Sequence, residues 1–234
     1  MKRINLILTL LSLNTVLVTI ERFSFTTKVI LQPYNFLRLH EVFQMLVVIL
    51  LTVALPFFLL KEITNNFETL KTVKGTLLGL LFIVGVYFYS TGNGVHEVAS
   101  YIFNTFCSVK HIAPGFCGSA FFNDYYFGNI LYFVGLLFVN LSLVMLEKIK
   151  PSKSFTKKDT IVTLINSFIL ALTMFAYAAF DRVLVGLIFT LVAAVTIDFL
   201  LLTAKTNFKT LPFTLYCATG YTLGFLASAI IRFH

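Results

Sequence analysis

Charge is scarce in this chain. Only 12% of its 234 residues are Asp, Glu, Lys or Arg, about half the share of an ordinary soluble domain. So few charges cannot cover the surface of a water-soluble globule. Linkers rich in Pro, Gly or Ser are also missing, as are a signature repeat and any polar region long enough to fold alone. Several catalytic signatures are absent too. There is no His-Glu-x-x-His and no Gly-x-Ser-x-Gly. The Gly92-Asn93-Gly94 stretch lacks both the third glycine and the preceding strand of a dinucleotide site. With four histidines in all, an all-histidine metal centre has few members to draw on.

What fills the chain instead is apolar sequence, 58% of the residues, in seven runs each near the ~20 residues that cross a hydrocarbon layer. The runs are 4–20, 39–61, 73–89, 127–146, 161–180, 183–203 and 212–231. They predict an all-α polytopic membrane protein, a single transmembrane domain over 1–234 with seven transmembrane helices. The first run has the basic start of a signal peptide, but it is long and no small-x-small cleavage pattern follows, so it reads as a retained helix. Pro56 threatens a kink in the second run, and Gly75, Gly79 and Gly85 offer close helix approach in the third.

Basic residues orient the bundle. With the N-terminus cytoplasmic, twelve Lys and Arg fall in inner segments and six in outer ones. The net charge of +8 therefore reads as topology and lipid headgroup contact, with no nucleic acid partner. The expected location is a plasma or inner membrane, N-in and C-out. Membrane lipids are the expected partners, and a second membrane subunit is a further candidate.

That orientation collects ionisable residues at the outer face. His40 and Glu41 open the second run, with Gln44 four residues on and on the same helical face as His40. Arg38 does not share that face easily and is expected to snorkel outward. His96 and Glu97 follow the Gly92-Asn93-Gly94 stretch, which reads as a helix break or end-of-helix turn with a helix resuming after it. Asp124 precedes the fourth run, placed either to cap it or to face a pocket with Asn129. His40, His96 and Asp124 are the candidate metal ligands, zinc being a divalent ion that accepts such donors. Glu41 and Glu97 are candidates for the general base or for orienting a ligand. Gln44, Asn93 and Asn129 would complete a polar pocket.

Asp198 lies in the apolar sixth run, where it either pairs with Lys205 or Lys209 or faces the bundle as a coupling group for proton-driven transport. Residues 91–126 are expected as a long outer loop between helices three and four, folded as a lid or lying at the membrane interface because its phenylalanines need burial. Cys107 and Cys117 are placed to pair within it, and Cys217 to be a small buried residue of the last helix. His111 and His234 receive no ligand role.

Three functions fit this pattern. The plainest is an accessory or structural subunit of a membrane assembly. The others are a metal-dependent membrane hydrolase acting on a lipid or other amphiphile, and a proton-coupled transporter or channel. Seven spans are common to unrelated proteins of all these kinds, so the count does not choose among them.

Overall fold

A computed structural model describes residues 2–110, 112, 114–204 and 207–234. Among these the regular structure is helical, with no strand and one isolated antiparallel bridge between Ile30 and Arg38. Seven helices are long and apolar enough to cross a membrane: α1 (Lys2–Glu21), α2 (Leu39–Ile63), α3 (Val73–Phe106), α4 (Phe116–Ile149), α5 (Lys157–Phe180), α6 (Val185–Leu202) and α7 (Pro212–Phe233). Large apolar side chains such as Leu50, Leu77, Ile83, Ile161, Ile188 and Val195 point outward. A surface of that kind is at home in hydrocarbon. Pro56 sits inside α2 without ending it, while Gln44–Val48 form a π-helical turn near its start.

The sequence placed the boundaries well except around residues 91–126. Helix α3 does not break at Gly92-Asn93-Gly94; it continues to Phe106. Helix α4 begins at Phe116, well before the expected 127, and carries a π-helical stretch over Asn123–Gly128. The expected long loop thus contracts to 107–115, and its flanks extend the two helices. Thirty-four residues of α3 span ~51 Å, well beyond a ~30 Å hydrocarbon core. A disulfide joins Cys107 to Cys117 near the tip of this hairpin. Of the loop phenylalanines, Phe103 is fully buried against Phe121 and Tyr125, whereas Phe106, Phe116 and Phe122 remain exposed.

Glycine explains why α3 runs on. A Cβ on Gly92 would fall 2.2 Å from the Tyr132 nitrogen, and one on Gly135 would fall 2.2 Å from the Tyr89 nitrogen. The two backbones touch at these points, and the absence of a side chain is used for helix approach, not for a turn. Gly85 serves the same contact, while Gly79 meets only the Leu70 side chain.

Polar contacts tie in the other helices. Helices α1 and α5 share a ladder running along the bundle. Asn5 donates to Asp159 at 2.8 Å, Asn166 to the Thr9 hydroxyl at 3.0 Å, and Ser12 to the Asn166 carbonyl at 3.1 Å. At the end of the bundle holding Lys148, the buried Glu147 carboxylate of α4 accepts from the backbone N–H groups of Phe213 and Thr214 and from the Thr214 hydroxyl. It therefore caps α7 from a neighbouring helix, satisfying donors that Pro212 and the helix start leave open.

Two alanine substitutions separate packing glycine from turn glycine. Gly135→Ala should lower stability by about 1–3 kcal/mol or more, because the new methyl meets backbone that cannot step aside. Gly94 has open space around it, so Gly94→Ala should hold or raise stability by up to about 1 kcal/mol through helix propensity. Thermal unfolding of both variants in mild detergent reads the difference, and a destabilised Gly94→Ala would mean that α3 does break there.

Candidate functional site

At the bundle end opposite Lys148, helices α1 to α4 bring their ionisable residues together. Glu21, the last residue of α1, is almost fully buried and sits against the Nδ1 of His40 on α2. Gln44, one turn further along α2, donates to the same Glu21 oxygen at 2.9 Å, and the Thr26 hydroxyl donates to the other. The other ring nitrogen of His40, Nε2, lies 3.9 Å from Glu97 on α3. His40 therefore lies between two carboxylates, Glu21 beside Nδ1 and Glu97 facing Nε2.

Glu41 is fully buried and belongs to Arg38. The Arg38 backbone N–H donates to it at 2.9 Å and the guanidinium Nε at 2.8 Å, with a second guanidinium nitrogen against the same oxygen. Arg38 does not snorkel outward, because a buried carboxylate needs a cation and this one is three residues away. Its guanidinium also lies over the Tyr101 ring, which fixes the hairpin of α3 against the start of α2.

The three candidate metal ligands do not form one compact set. Ligand atoms of His40, Glu41 and Glu97 lie within 4.8 Å of one another. His96 and Asp124 make a separate pair. The His96 Nδ1 is 2.9 Å from an Asp124 carboxylate oxygen and 3.0 Å from the Asp124 carbonyl, with hydrogen-bond alignment toward the carbonyl. Asp124 is not a helix cap, since α4 starts eight residues before it. The π-helical stretch turns it inward, where it is buried against His96. Zinc-type coordination by His40 with Glu97, and Glu41 as a third donor, is the arrangement these side chains allow.

Above and below this level the bundle is hollow. A polar cleft of about 510 Å³ is lined by Arg22, Arg38, His40, His96, Glu97 and Asp124, among others. It shares His96, Glu97 and Asn129 with a second cavity of about 370 Å³ that also touches Gln44 and Asn93. The second shares Val18, Tyr132, Thr173 and Met174 with a third, of about 110 Å³, among mainly apolar residues in the middle of the bundle. Along α4 the series runs from Asp124 to Leu143, nineteen residues or ~28 Å. Leu143, Phe213 and Cys217, all nearly fully buried, are among the residues that line its deep part. Cys217 is thus the small buried residue expected, with an added role as cavity wall.

Asp198 lines none of these three spaces. Its carboxylate accepts from the Thr222 hydroxyl of α7 at 2.7 Å, so it faces the neighbouring helix. Lys205, one of its expected partners, lies outside the described residues, as does His111. Lys209 is not among its ion-pair partners in the described residues.

Counting along the chain also puts Glu21, Arg22 and Arg182 at the level of the cleft but gives them no role, and it passes over Asn14. Glu21 looked like an ordinary end-of-helix charge, and its link to His40 depends on packing of α1 against α2. Arg22 and Arg182 lie over the rings of Tyr177 and Tyr125, 5.6 and 5.4 Å from their centroids, and both line the polar cleft. Asn14 lines the apolar cavity with neither amide atom hydrogen-bonded among the described residues. An asparagine inside an otherwise apolar first run was the available signal for it.

Asp181, between α5 and α6, closes the rim. Burial raises its carboxyl above the ordinary aspartate value, against the pull of the Arg182 backbone N–H that donates to it at 2.7 Å. A carboxyl with a raised value in the folded state binds its proton more tightly there than in the unfolded chain. Its contribution to stability is fully present below the ordinary aspartate range and declines as pH rises through the raised value. Asp181→Asn removes that decline. Melting temperatures taken from about pH 4 to 7 should therefore fall less with rising pH in the variant than in the parent; parallel curves would contradict it.

No family model matches the chain, and searches of curated proteins and of solved structures likewise find no match.

Proposed function

We propose that the protein is a membrane-embedded, metal-dependent hydrolase that draws an amphiphile into its bundle from the non-cytoplasmic side. The carrying observation is the continuity of a polar, charge-lined cleft with a deep apolar cavity through shared lining residues. Such a shape takes a molecule with a polar head and a hydrocarbon chain, head at the mouth and chain within. The excess of basic residues in the segments around Lys148 supports the outward orientation of the mouth. It supports an N-in, C-out protein of a plasma or inner membrane.

In this reading His40 Nε2 and Glu97 hold a divalent ion such as zinc. Glu41 completes the set from the lone pairs that Arg38 leaves free, since a carboxylate has about four such sites. The Glu21 carboxylate orients the His40 ring through Nδ1, the usual support for an imidazole ligand. His96, with Nδ1 engaged by the Asp124 carbonyl, keeps Nε2 as the nitrogen that exchanges a proton in the cleft.

Two other readings fit less of the geometry. A channel or carrier would draw on the coupling candidate Asp198, and that carboxylate binds Thr222 and lines none of these cavities. An accessory subunit accounts for the apolar outer faces, which lipid covers equally well. It leaves a hollow lined by buried carboxylates and imidazoles without a use.

Purified in mild detergent, the protein should carry about one divalent ion per chain by elemental analysis. His40→Ala and Glu97→Gln should each lose it, while Asp198→Asn keeps it. Native mass spectrometry should find a co-purified amphiphile, and hydrolysis of that amphiphile should drop about 10²- to 10⁴-fold in Glu97→Gln. A parent protein with neither metal nor amphiphile overturns the reading.

A further inference from the structure

Between the charged mouth and the apolar cavity lies a narrow polar level. Asn93 is on α3, one helical turn from Glu97 toward the middle of the bundle, ~6 Å along the axis. The two share a face, and both line the 370 Å³ cavity with His96, Gln44 and Asn129. Asn93 is 6% exposed, and among the described residues its Nδ2 has no hydrogen-bond partner. Its neighbours are otherwise engaged. Gln44 Nε2 donates to Glu21, and Asn129 Nδ2 donates to the Tyr125 carbonyl at 3.2 Å.

A buried N–H donor without an acceptor is destabilising, and native interiors rarely keep one. Here it stands where the polar lining gives way to Tyr132, Phe133 and Met174. In an amphiphile seated with its head at the mouth, that level is the junction of head and chain. We infer that the amphiphile is an acyl compound, joined there by an ester or amide whose carbonyl oxygen accepts from Asn93 Nδ2. This rests on the amphiphile-hydrolase reading and names its substrate class. Ether-linked and purely alkyl chains offer no comparable acceptor in that position.

The assignment also gives Asn93 a place in the reaction. Water adds to the carbonyl carbon, and the carbon–oxygen π pair moves onto the oxygen that Asn93 faces. His96 Nε2, left free by the Asp124 contact at Nδ1, takes the proton from the water. The tetrahedral species then expels the alcohol oxygen (or amine nitrogen), which receives that proton. The products are a carboxylic acid and an alcohol or amine. A fixed donor aimed at the developing oxyanion is the general device for such a step.

Binding can be read without turnover. The probes are a single-chain phospholipid whose ester is replaced by an uncleavable ketone, and its ether counterpart with the same head and chain length. The parent protein in mild detergent should bind the ketone about fivefold more tightly, the effect of one hydrogen bond. Asn93→Ala should erase that preference without lowering the melting temperature, because among the described residues Nδ2 has no hydrogen bond to lose. Asn93→Ser, a shorter donor, should keep part of it. Equal binding of ketone and ether by the parent overturns the acyl assignment and leaves the amphiphile reading standing, as does a preference that survives in Asn93→Ala. Failure of the parent to bind either probe overturns both.

Discussion

Backbone contact between α3 and α4 is the constraint on which the cleft depends. At Gly85, Gly92, Gly128 and Gly135 the two helices approach until a single methyl would collide with the opposite main chain. Gly128 is the informative one, since a Cβ there would lie 2.8 Å from the His96 nitrogen. The same contact that holds the helices together therefore sets His96 beside the turn carrying Asp124. It also fixes the rotation of α3, and with it the faces presented by Asn93 and Glu97. Helices held by longer side chains could slide or roll, and a donor placed within a fraction of an ångström would be lost.

Around that contact, charge burial follows one rule at both ends of the bundle. A carboxylate leaves water only when donors or cations meet it. Glu41 takes Arg38, Glu21 takes His40, Gln44 and Thr26, Asp124 takes His96, and Glu147 takes the start of α7. The two ends nevertheless differ. Glu147 is closed off by backbone donors, a structural cap with no free side. Among the described residues Glu97 has no hydrogen-bond donor, its ion-pair partner is His40 at 3.9 Å, and a cavity lies beside it. The difference between a satisfied acid and an acid facing space is what separates scaffold from candidate site here.

Much of this architecture was legible in the sequence because hydrocarbon thickness dictates helix length. Seven apolar runs became seven helices, and the level shared by His40, Glu41, His96, Glu97 and Asp124 follows from counting along them. Cys107 and Cys117 are joined as their spacing indicated. The errors cluster where local signals conflict with tertiary demand. Gly92 and Gly94 look like a break, but Gly92 is there for packing and Gly94 is simply tolerated. Asn123 and Asp124 look like a helix start, yet a π-helical stretch carries them inside α4. Charge at a helix end likewise hid Glu21, since nothing along the chain says that α1 will deliver it to His40. Which histidine meets which acid is a matter of helix rotation, and rotation is set by long-range packing that no local pattern encodes.

The hollow itself argues for a ligand on energetic grounds. Membrane bundles gain most of their stability from close packing and internal hydrogen bonds, because lipid offers no hydrophobic drive between helices. A cavity forfeits the packing, and an orphaned amide forfeits a hydrogen bond worth about 1–3 kcal/mol when buried. This chain does both along one line, with Asn93 at the neck and Asn14 deeper in. The α3–α4 contact beside it is packed to the backbone, so the hollow is kept open next to some of the tightest packing in the chain. Two unpartnered amides on the wall of one continuous space are economical only if something with complementary atoms occupies it. A hydrocarbon chain restores the lost packing, and a carbonyl at the neck restores a lost hydrogen bond. The polar mouth, the neck and the deep apolar end are then successive demands of one elongated molecule.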